Sequence, residues 1–263
     1  MLISRTYSLP ILVAHQIWGR DPPSLCLLSS DDINTKVLIE ENDEYALSVS
    51  LTMDVNPKLK NRLDKLMIDL LRDISPIPIK ASISFNVSAR PSGLSLLVTG
   101  IHALLEGLQD FYEEKIEPSD YLDVFAGALI KAGLTLNQSK SIANCVLNNK
   151  SVIYSESYGA LFLESISIDK WMVIEEVEFP IAWAEPWFSE QYLDLLAKLS
   201  SLVISDMTAL LRGDRSKSYL ARVFNGIWYM IGYPLGVNEN SIGDGYNIVS
   251  ISIPGWLVKY RFD

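Results

Sequence analysis

Cysteine and histidine are nearly absent from this chain. Cys26 and Cys145, with His15 and His102, are the whole supply in 263 residues. Two thiols cannot build a disulfide framework, and two imidazoles beside them cannot assemble a zinc-type cluster, so no metal site is expected. Positive charge is also scarce, with 22 Lys and Arg against 32 Asp and Glu, a formal net charge of -10. Nucleic acids and anionic membranes are bound through clustered lysine and arginine, so neither is expected as a main partner. Long hydrophobic runs are missing too. The longest are strand-length, such as Leu9 to Ala14, so no transmembrane helix is expected. No charged region precedes a signal-like core. A cytoplasmic, reduced location is the expectation that follows.

What the chain does have is an ordinary globular composition, 49% hydrophobic and 21% charged, at a length that suits one large domain or two small ones. The first third reads as strands at Leu2–Val13, Thr35–Glu40 and Tyr45–Met53, separated by Asp and Asn clusters. Pro57–Ile74 carries leucine, isoleucine and methionine at helical spacing with charges opposite, an amphipathic surface helix. A strand at Ile79–Val87 follows. Pro118–Ala132 and Leu136–Leu147 read as further helices, the second with Asn137 in its cap region. Strand patterns resume at Val152–Tyr154, Gly159–Ile166 and Trp171–Trp183. Helices are expected at about Ser189–Leu211 and Arg215–Met230. Two last strands, Tyr246–Ile253 and Leu257–Phe262, flank a Pro254-Gly255 turn. Strands, then helices, then strand-helix-helix-strand is the order of an α+β protein of two packed lobes, and we place the boundary near residue 150. The lobes are then 1–150 and 151–263.

The most informative stretch is Ser84 to Leu108, SFNVSARPSGLSLLVTGIHALLEGL. It reads as a strand, a Pro-Ser-Gly-Leu-Ser turn and a long apolar helix. A helix that opens after such a turn presents unpaired N–H groups, and the macrodipole adds partial positive charge, which together hold a phosphate. A glycine-marked turn that binds nothing is the competing reading. The turn is expected to be exposed, with Leu96 and Leu97 packed in the helix's first turns.

The segment resembles the ATP-binding region of the GHMP kinase superfamily, in the branch of diphosphomevalonate decarboxylase and mevalonate kinase. Ser84, Asn86, Gly93, Leu94 and Gly100 fall on matching positions, while the paired serines that sit beside phosphate and metal are Leu96 and Leu97 here. The resemblance implies nucleotide binding through Pro91, Ser92, Gly93, Leu94, Ser95 and Thr99. His15 to Leu27, HQIWGRDPPSLCL, is similar to a second signature of that branch. It implies substrate contacts from Gln16, Trp18 and Arg20, with Gln16 standing where the family has lysine. A solvated turn is the alternative there. SESYGAL at Ser155 to Leu161 resembles a third, in which Glu156 is the only acid available as a catalytic base; an exposed strand-edge charge is equally open. SIGDG at Ser241 to Gly245 resembles the late glycine-rich loop, so that Gly243 and Gly245 would approach a substrate; hairpin punctuation is the other reading.

The implied fold has an N-terminal lobe of the ribosomal-protein domain type and a ferredoxin-like C-terminal lobe. Two functions follow. One is an ATP- and magnesium-dependent small-molecule kinase or mevalonate-type decarboxylase. The other is a catalytically inactive relative that needs no cofactor and binds a metabolite or a partner subunit, a homodimer included.

Overall fold

In the computed structural model the described residues are 2–13, 24–87, 90–163, 171–178, 246–253 and 255–262. The chain opens with two long antiparallel strands, β1 (Leu2–Val13) and β2 (Ser24–Glu41). β3 (Ala46–Leu51), α1 (Pro57–Ile74) and β4 (Ile79–Val87) follow. Next come three helices, α2 (Gly93–Tyr112), α3 (Pro118–Lys131) and α4 (Leu136–Asn148). A hairpin of β5 (Ser151–Ser155) and β6 (Gly159–Leu163) comes after them. The last described elements are β7 (Trp171–Glu178), β8 (Tyr246–Ile251) and β9 (Trp256–Phe262).

Two sheets result. The first runs β3-β4-β2-β5-β6, with β1 also paired to β2; the second runs β7-β9-β8. β2 is the spine of the first sheet. Its second half, Ile33 to Glu41, pairs with β4, while Ser24 to Cys26 pairs with β5. β1 lies along β2 from Leu2–Leu38 to Val13–Leu25, with a register irregularity between Ser8 and Pro10. The expected strand at Thr35–Glu40 is therefore only the far half of a much longer one. The expected boundary at residue 150 falls inside this sheet, because β5 and β6 belong to it; the change of sheet lies between Leu163 and Trp171.

Local sequence accounts for the elements that matter most. β4 alternates strictly: Ile79, Ala81, Ile83, Phe85 and Val87 point inward, the period of a half-buried strand. α1 starts at Pro57, with the Asn56 side chain accepting from the Lys58 N–H, and buries Leu59, Leu63, Met67, Leu70 and Leu71 along one stripe. α2 is different. Nearly every residue from Gly93 to Leu108 is buried, as expected of a helix apolar on all sides and enclosed by the rest of the protein. None of the described helices is long and apolar enough to cross a membrane. The expected helices at 189–211 and 215–230 lie outside the described residues.

One cap differs from expectation. Thr135, not Asn137, caps α4. Its hydroxyl accepts from the Gln138 N–H, and the Gln138 side chain accepts from the Thr135 N–H, a reciprocal box. Asn137 is already inside the helix. Thr135→Ala should therefore destabilise the protein by ~1 kcal/mol, read as a lower urea midpoint; an unchanged midpoint would show the box contributes nothing.

A self-occupied anion site at the start of the central helix

β4 ends at Val87, and the chain turns through Pro91 and Ser92 into α2 at Gly93, so the expected strand-turn-helix arrangement is present. Ser92 is extended, with φ -76° and ψ 159°, and serves as N-cap. Its carbonyl accepts from the Leu96 N–H at 3.0 Å, beginning the helical ladder. The three N–H groups ahead of that are the donors a phosphate would need.

All three are taken by the protein itself. The Ser95 N–H donates to Ser92 Oγ at 3.1 Å. The Leu94 N–H donates to Ser252 Oγ at 3.3 Å. The Gly93 N–H donates to Glu176 Oε1 at 2.7 Å. Ser252 in turn donates its hydroxyl proton to the same Glu176 oxygen in a short contact. The positive end of the central helix therefore already carries a carboxylate, one supplied by β7.

The second sheet delivers these groups by specific local geometry. β7 carries a register irregularity against β9 between Val173 and Glu175. A bulge of this kind shifts side chains to the other face, and the result is that Val173 and Glu176 are both buried while Glu175 is exposed. Ser252 stands at the β8–β9 connection, where its N–H donates to the Trp256 carbonyl and the Trp256 N–H donates to the Ile253 carbonyl. Gly255 turns there with φ 86°, a left-handed backbone that favours glycine. An exposed ion pair, Lys58 Nζ to Glu178 Oε2 at 3.1 Å, also joins the first turn of α1 to β7; at that exposure it contributes little.

Glu176 is 9% exposed, and desolvation pushes its carboxyl above the ordinary carboxylate range. The Ser252 and Gly93 hydrogen bonds and the Arg90 charge pull the other way without cancelling it. Tyr260 of β9 lies beside Ser92 and Glu176, fully buried, and burial raises its hydroxyl as well.

Gly93 is not in an exposed turn. It is buried at the first helical position, and a Cβ there would meet Ser252 Oγ at 2.9 Å and Leu59 Cδ1 at 3.0 Å. The glycine admits the carboxylate and the β8–β9 connection rather than a nucleotide. A valine at this position would be overpacked, as it would not be in an exposed turn. Leu96 and Leu97 are packed, as expected, at 2% and 1% exposure. Pro91, Ser92, Leu94, Ser95 and Thr99 are all buried. Thr99 Oγ1 has no hydrogen-bond partner among the described residues. ATP with its magnesium does not fit this turn, since no helix-opening donor is left over and a carboxylate occupies the centre of the site.

Glu156 sits in the exposed β5–β6 turn, where the Tyr158 N–H donates to Ser155 Oγ at 3.3 Å. The buried acid at the turn is instead Glu176, which sequence reasoning did not single out. Gln16, Trp18, Arg20, Gly243 and Gly245 lie outside the described residues. Among the described residues no group of three or more His, Cys, Asp or Glu is placed to hold a metal.

No protein-family model matches this chain, and no curated protein sequence matches it. Solved structures do. A mevalonate diphosphate decarboxylase from Legionella pneumophila superimposes with a TM-score of 0.57 at 9% identity, covering 100% of this chain and 93% of that one. Mevalonate kinase from a methicillin-resistant Staphylococcus aureus gives 0.56 at 14% identity, covering 98% and 90%. L. major mevalonate kinase in complex with R-mevalonate gives 0.56 at 11%, covering 99% and 87%. These likenesses show the fold, the two-lobed α+β architecture of the GHMP kinases and decarboxylases.

Two outcomes check the site. Gly93→Val should lower stability by about 1–3 kcal/mol through overpacking, and an unchanged urea midpoint would contradict the packing described. The pH dependence has a definite sign. Because the folded-state pKa of Glu176 is raised, the native protein keeps its proton over a window in which the unfolded chain has released it. The resulting stability is fully present below the ordinary carboxyl pKa and is lost as pH rises through the folded value. Wild type should therefore lose more stability than Glu176→Gln between pH 5 and about pH 7.5, measured by urea unfolding at both. Parallel losses would remove Glu176 as a titrating group.

Proposed function

We propose that this protein is a catalytically inactive member of the GHMP fold group, acting as a ligand-binding or subunit-interaction protein. The observation that carries the reading is the consumption of the Gly93, Leu94 and Ser95 N–H groups by Glu176, Ser252 and Ser92. Phosphoryl transfer depends on positioning and on charge stabilisation by donors aimed at phosphate oxygens. Here the donors are spent, and an acid stands where the anion would go. Leucine at 96 and 97, buried in the core, offers neither hydroxyl nor lone pair to a metal-bound phosphate. Fold likeness alone carries no activity.

The ligand of such a protein is a small metabolite or a second polypeptide, with a homodimer included, and we place it in the cytoplasm. The competing reading is an ATP-dependent small-molecule kinase or mevalonate-type decarboxylase, in which Glu156 is the base. It requires the second sheet to withdraw Glu176 and Ser252 from the start of α2.

Calorimetric and thermal-shift titration with magnesium-ATP and magnesium-ADP decides between them. A ligand at a hundredfold excess over its dissociation constant stabilises the folded state by roughly 2.7 kcal/mol. We expect no heat of binding and no shift with either nucleotide. Saturable binding in the micromolar range, lost in Gly93→Val protein that remains folded, would overturn the inactive reading and restore the kinase one.

A further inference from the structure

α3 packs on α4 and α2 and buries Tyr121, Phe125, Ala126, Ala128 and Leu129. Its other side carries Asp120, Asp123, Val124, Gly127, Ile130 and Lys131. At about 100° per residue these six fall within one third of the helix circumference, centred on Gly127. Val124 and Ile130 are 37% and 41% exposed, and the three charged residues are exposed as well. A glycine inside a helix costs stability, and packing within this chain does not require one here. A Cβ on Gly127 would meet nothing within 4 Å beyond the helix's own backbone. Bare backbone between two exposed aliphatic side chains is a seat for a second helix at close range.

The charges on this face select the occupant. We propose that α3 docks on α3 of a second copy of this chain, antiparallel and crossing at Gly127. Two-fold symmetry then sets Val124 against the partner's Ile130 and Asp123 against the partner's Lys131, each contact made twice. A parallel pair would instead put Asp123 on Asp123 and Lys131 on Lys131, which repel. Within the chain Asp123 already pairs with Lys140, and Lys131 with Asp73 at 2.8 Å. Docking joins these pairs into two rows of alternating sign. One helix pair buries less than the roughly 1,200 Å² of the smaller stable interfaces, so the dimer forms in the micromolar range and depends on concentration. The dimer rests on the subunit-interaction reading of the function. A chain that binds nucleotide overturns that reading whatever its mass, and a monomer that binds none removes the dimer and leaves the reading.

The test is sedimentation velocity of the full chain without nucleotide. From about 10 µM to about 1 mM the mass should rise from one chain toward two. Gly127→Arg, whose Cβ meets nothing in the monomer, should keep the circular-dichroism spectrum and stay monomeric throughout. Asp123→Lys and Lys131→Glu should each weaken dimerisation about tenfold, because each sets like charges opposite one another twice. Mixed in equal amounts, the two variants should recover wild-type association, since every 123–131 contact of the mixed pair again joins opposite charges. A monomer at every concentration overturns the proposal, and so does a dimer that survives Gly127→Arg. A mixture that associates no better than its components overturns it too.

Discussion

The carboxylate of Glu176 on the Gly93 N–H is the contact around which the described structure is arranged. A buried helix cannot leave its opening N–H groups unpaired, because each would forfeit its hydration with nothing in return. α2 is buried almost throughout, so water cannot serve that end of it. The partners come from β7 and from the β8–β9 connection, 83 and 158 positions away along the chain. Docking of the second sheet on the first is thus a matter of helix capping as much as of apolar burial.

The same contact explains why charge is tolerated in the interior. A carboxyl group with no partner would be strongly unfavourable there. Glu176 has a backbone donor, a hydroxyl donor and the nearby Arg90 charge, and its raised pKa lets it take up a proton. Ser252 links the remaining donor, the Leu94 N–H, to the same oxygen. The network is closed over α2's first turn, and Tyr260 seals its flank.

How much of this could be read in the sequence depended on range. The bounds of α1 and β4 were legible to the residue, since a 3.6-residue stripe from Leu59 to Leu71 and a two-residue alternation from Ile79 to Val87 are set by neighbours in sequence. The break before Gly93 was legible for the same reason. The cap of α4 was misplaced by two residues, because Thr135 and Asn137 are both competent caps and only the reciprocal Gln138 contact separates them. The role of Gly93 was legible only in half. Glycine signalled close approach, but what approaches is a side chain from another sheet. Glu176 was not legible, since strand alternation in WMVIEEVE would group Val173 with Glu175, and only the register irregularity between them turns Glu176 inward.

The sequence distance of these capping partners has a consequence for how the chain is made. α1, β4 and α2 lie within contiguous sequence and can assemble as soon as they leave the ribosome, but Glu176 and Ser252 are synthesised long afterwards. Until then the opening turn of α2 has only Ser92 to hold it and depends on water for Gly93 and Leu94. The first turn of α2 therefore acquires its full set of native hydrogen-bond partners only when β7 and the β8–β9 connection are in place. Non-local closure of this kind slows folding.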